Sequence, residues 1–74
     1  MNPDARAILR QLTLPPDAQT IPELVQALSV PDWRVRAAMV DLCEHGSVRA
    51  TLSGFRLTHK GWEQLETLLN EDVA

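Results

Sequence analysis

The chain has 74 residues, 45% apolar and 23% charged, with a formal net charge of −3. That is one domain at most, and nearly all of its apolar set must be buried to offset an ordering entropy of roughly 110 kcal/mol. This arithmetic argues against a roomy substrate cleft, a disordered chain and an elaborate enzyme. A single cysteine, Cys43, allows no internal disulfide. The start Met1-Asn2-Pro3-Asp4 lacks the pattern of a signal peptide, and no apolar run reaches membrane-spanning length. The expectation is a reduced, cytoplasmic protein.

Asn2-Pro3-Asp4 reads as a helix start, with an Asx cap, proline in the first turn and an acid at the positive dipole end. Ala5, Ile8, Leu9 and Leu12 follow at helical spacing, which takes helix 1 to about Thr13. Leu14-Pro15-Pro16-Asp17 ends it, and a short strand is expected around Ala18–Thr20. Thr20 and Glu23 stand in the capping-box relation ahead of a short helix 2, about 21–28, with the stripe Ile21, Leu24, Val25 and Leu28.

Pro31 forces a break, and helix 3 begins around Pro31-Asp32. Val35, Ala38, Met39, Leu42 and Cys43 form its expected buried stripe, and Gly46 closes it. From Val48 the period changes to two: Val48, Ala50 and Leu52 alternate with Arg49, Thr51 and Ser53. A Ser53-Gly54 turn would set Leu52 opposite Phe55 and Ala50 opposite Leu57, with Arg49, Thr51 and Arg56 on the outer side. Thr58 caps a last helix whose apolar stripe is Trp62, Leu65, Leu68 and Leu69. Those residues read as core or as a homodimer seam, while Glu66, Glu71 and Asp72 stay solvated.

Charge is unevenly spread. Residues 1–30 carry −1, residues 31–62 carry +2 through Arg34, Arg36, Arg49, Arg56 and Lys60, and residues 63–74 carry −4. The basic middle allows a small nucleic-acid surface.

The order of elements, carried by Thr20 to Leu42 and Val48 to Leu69, resembles a winged helix-turn-helix, mainly α with a small β-hairpin. Phe55-Arg56-Leu57-Thr58-His59-Lys60-Gly61-Trp62-Glu63-Gln64-Leu65 resembles the wing exit of MarR-like and PadR-like bacterial transcriptional regulators. There an aromatic, a basic residue, Leu-Thr and a glycine after two further residues lead into a leucine-bearing helix. The resemblance covers about three quarters of the chain. It implies one winged-helix domain over residues 1–74, with the helix-turn-helix at about 20–45, the wing at about 48–58 and the C-terminal helix at about 59–70. Ser29 departs from the pattern, standing where many such units place glycine.

The implied function is duplex DNA binding in transcription regulation, with helix 3 in the major groove and the wing on the backbone. The expected DNA-binding residues are Trp33, Arg34, Arg36, Ala37, Arg49, Arg56 and Lys60, in a dimer joined through the C-terminal helix. The rival is a protein-docking adaptor that uses an outward Trp33, Ala37 and Val40 patch without DNA; alternatively, Trp33 folds back onto helix 2 or the wing. A fragment of a larger enzyme or replication protein is a third class. Cys43, His45 and His59 do not converge, so no catalytic or metal role and no cofactor is expected. Cys43 reads as a small buried hydrophobe.

Overall fold

The computed structural model describes residues 2–16 and 18–73, the last three by backbone alone. The expected solvation of Glu71 and Asp72 therefore lies outside the described side chains. Helix α1 spans Pro3–Gln11, and the Asn2 side chain accepts a hydrogen bond from the Asp4 N–H at 2.7 Å. It stops two residues short of the expected Thr13, with Leu12 as its C-cap.

Helix α2 spans Ile21–Leu28 and starts on a complete capping box. The Thr20 N–H donates to Glu23 Oε1 at 3.0 Å, and the Glu23 N–H donates back to Thr20 Oγ1 at 3.4 Å. Ser29 ends it at φ 54° and ψ 41°, so serine adopts the left-handed turn without glycine's help. Helix α3 spans Asp32–Glu44. The Gly46 N–H bonds Cys43 O at 3.0 Å and the Ser47 N–H bonds Leu42 O at 2.9 Å, a Schellman closure that turns the chain into the hairpin.

Strands β1 (Val48–Thr51) and β2 (Gly54–Leu57) pair antiparallel. The register sets Val48 against Leu57, Arg49 against Arg56, Ala50 against Phe55 and Thr51 against Gly54. The turn is therefore Leu52-Ser53, not Ser53-Gly54, and Leu52 stands fully exposed at the tip instead of facing Phe55. The strand expected at Ala18–Thr20 is reduced to one bridge, Gln19 to Phe55. Helix α4 spans His59–Val73, with the Thr58 hydroxyl accepting from the Gly61 N–H at 3.1 Å.

One apolar cluster joins these elements: Ala5, Ile8, Leu9 and Leu12 from α1 and its C-cap, Ile21 and Leu24 from α2, Val35, Ala38, Met39 and Leu42 from α3, Val48, Leu57 and Leu65. Each fully buried Leu or Ile contributes about 1.5–3 kcal/mol of transfer free energy. Val25, Leu28, Val30, Phe55 and Leu68 pack on the cluster's edge. Of the expected α4 stripe, two residues lie outside the cluster: Trp62 is 50% exposed and Leu69 49%. Leu65 and Leu68 occupy the side of α4 against the core, and the strip one step round the helix is half exposed. No helix of the described residues is long and apolar enough to cross a membrane.

Candidate nucleic-acid interface

Helix α3 follows the left-handed Ser29 turn and presents one face outward, because Val35, Ala38, Met39 and Leu42 hold the other in the core. Trp33 does not fold back. It is 70% exposed, with exposed Ala37 one turn on and Val40 at 56% beyond it. The middle of the outward face is therefore apolar.

The two arginines of α3 leave this face in different directions. Arg34 reaches α1: its Nε donates to Asp4 Oδ2 at 2.9 Å and its Nη2 to Asp4 Oδ1 at 2.7 Å. The fork geometry makes this the stronger kind of charge-assisted pair. Asp4's hydrogen bonds, and then its charge, raise the Arg34 guanidinium above its ordinary value. Arg36 donates from Nε to Asp32 Oδ1 at 2.6 Å, an exposed i, i+4 pair on its own helix. Such pairs exchange partners at little cost.

Arg49 and Arg56 are brought together, directly opposite each other across the hairpin on its exposed side. Among the described residues neither has an acidic partner. Like charges in that register repel, so this side of the hairpin is a small, uncompensated cationic site. It borders a shallow open groove with Ala18, Thr51 and Ser53. Lys60 is exposed on the first turn of α4 and lines a separate depression with His45 and Gln64, away from the arginine pair. His59 pairs with Glu63 at 2.8 Å.

Cys43 is exposed, not buried. It lies at the edge of the α3 stripe, on the wall of an apolar groove with Ile21, Met39, Val40 and Phe55, and partial burial there pushes its thiol above the ordinary value. Among the described residues no group of three or more His, Cys, Asp or Glu is placed to hold a metal ion.

Asp4 as the partner of Arg34, thirty residues away, carries no sequence signal. Gln19, buried at 3% exposure, also went unmarked, although it fixes the approach to the hairpin. A glutamine between two loop-forming segments reads as ordinary surface.

Comparison with protein-family models, curated proteins and solved structures finds no match to this chain.

Proposed function

We propose that this is a small winged-helix protein that binds duplex DNA and acts as a transcriptional regulator. In this reading α3 lies in the major groove and the hairpin lies on the phosphate backbone. The observation that carries it is the Arg49–Arg56 pair, two exposed guanidinium groups held side by side without an acidic partner among the described residues. Repeated phosphates relieve that repulsion and are bound by arginine in fork geometry. The left-handed turn between α2 and α3, and the free outward face of α3, support the same reading.

Titration with mixed-sequence duplex DNA at several salt concentrations tests it. Replacing Arg49 and Arg56 by alanine is expected to flatten the salt dependence, each lost phosphate contact removing about 0.9 from the slope of log K against log salt. Replacing Arg36, whose exposed pair with Asp32 can exchange for a phosphate, weakens binding. No binding by the wild-type chain at low salt overturns the proposal.

A second reading, a protein-docking adaptor, is favoured by Trp33 and Val40, which leave an apolar strip open while both α3 arginines are engaged by acids. Under either reading Trp33→Ala is expected to melt close to wild type, because so exposed a ring contributes little to folding. Under the adaptor reading the same change costs about 2 kcal/mol or more of partner binding and leaves any DNA affinity untouched. The DNA reading, which sets Trp33 on the groove-facing helix, expects the change to weaken duplex binding, so the duplex titration separates the two readings, and thermal melts show that the variant is folded.

A further inference from the structure

The outward face of α3 is apolar in its middle and carries opposite charges at two related positions. Trp33, Ala37 and Val40 recur at spacings of four and three residues, Arg36 lies beside them, and Glu44 follows one turn after Val40. All five are exposed, with Trp33 at 70% and Val40 at 56%. Arg36 and Glu44 stand four residues on either side of Val40. Turned end for end about Val40, the helix therefore maps each of them onto the other. A two-fold antiparallel pairing sets Val40 against its own counterpart and Arg36 against Glu44 of the second copy, twice by symmetry. We infer that this face of α3 binds a second copy of the chain, helix against helix and antiparallel, closed by two Arg36–Glu44 ion pairs.

The alternative seam on α4 lacks this self-complementarity. Its exposed strip of Trp62 and Leu69 contains Glu66, while the helix's lysine, Lys60, lies off that strip beside His45 and Gln64, so a second copy would bring Glu66 near its own counterpart. On α3 the pairing asks Arg36 to exchange Asp32 for Glu44, and the Arg36–Asp32 pair is 63% and 55% exposed. Arg34 is unaffected, since it is directed to Asp4 on α1. The pairing covers the face that the DNA reading sets in the major groove. Paired and DNA-bound states are then mutually exclusive, and self-association withholds the protein from DNA. The pairing itself does not depend on that reading, because its measurement is molecular mass.

Sedimentation equilibrium of the full chain over a hundredfold range of concentration tests it. The wild type is expected to form a reversible dimer. Arg36→Glu and Glu44→Arg each place like charges opposite one another at both symmetric positions and weaken association about tenfold or more, as misplaced interface charges do. The double variant R36E/E44R exchanges the signs and regains wild-type association. Melts of all three variants show whether each is folded. A wild type that stays monomeric throughout overturns the inference, as does a double variant no better than the singles. Loss of the dimer in W62A/L69A, with the charge variants unaffected, overturns it in favour of α4.

Discussion

Gly61 lies where α4 crosses the start of β1, and a β-carbon there would sit 2.1 Å from Ser47 O and 3.1 Å from Leu57 Cδ2. The Ser47 carbonyl cannot retreat, because it accepts the Thr58 N–H at 3.1 Å, while the Ser47 hydroxyl bonds Gln64 on α4. Gly61→Ala is therefore expected to destabilise the chain by about 2–3 kcal/mol through overpacking, read as a lowered urea midpoint. A glycine near a helix start is visible in the sequence, but the carbonyl it makes room for lies fourteen positions away. Cys43 and Trp62 teach the converse. Helical spacing puts both at the margin of an apolar stripe, and whether a margin is covered depends on how far the neighbouring element extends. Here the hairpin leaves Cys43 at the surface, and Trp62 is left half exposed.

At the level of elements, the helix ends follow local chemistry and were readable as such. The capping box of α2 gives a pH-dependent expectation. Hydrogen bonds from the Thr20 backbone and then its side chain hold the Glu23 carboxyl below its ordinary value of 4.5. A group with a lowered folded-state pKa stabilises the fold above its unfolded value and loses that contribution as pH falls through the folded one. The difference in urea midpoint between wild type and Glu23→Ala is therefore present at neutral pH and shrinks as pH falls below the ordinary carboxyl value of 4.5. The hairpin shows what local reading misses. Ser53-Gly54 looks like a turn, but Gly54 takes φ +128° and a β-carbon on it would lie 2.5 Å from the Gln19 backbone carbon. Glycine is needed there to let the Gln19 segment approach, so it begins β2 and the turn falls on Leu52-Ser53. The strand-to-strand slip is two residues, an even number, so Arg49 and Arg56 keep the exposed side and Val48 and Leu57 the buried one.

Across the whole molecule, long-range polar ties add to the core in holding α1 in place. Arg34 joins α3 to Asp4, and Gln19 joins the end of α1 to the hairpin. The Gln19 backbone pairs both ways with Phe55, at 3.0 and 2.7 Å, while its Nε2 donates to Gln11 O at 2.9 Å. Gln19→Ala leaves that carbonyl without its donor in a part-buried site, and a loss of about 1–3 kcal/mol in urea unfolding is expected. The sequence by itself determined the type and order of the four helices and the hairpin, their caps, and the inward stripes of α1, α2 and most of α3, because these depend on periodicity and on neighbours within four residues; the strand expected at Ala18–Thr20 came down to one bridge. It also marked Arg49 and Arg56 as sharing a side, since alternation along a strand survives an even slip. Tertiary structure alone decided that Trp33 faces outward, that Arg34 is engaged by Asp4 while Lys60 stands apart from the arginine pair, and where the hairpin turns. Each of those outcomes depends on which surface another element covers or which charge it brings near, and residues distant in the chain meet only when the core closes.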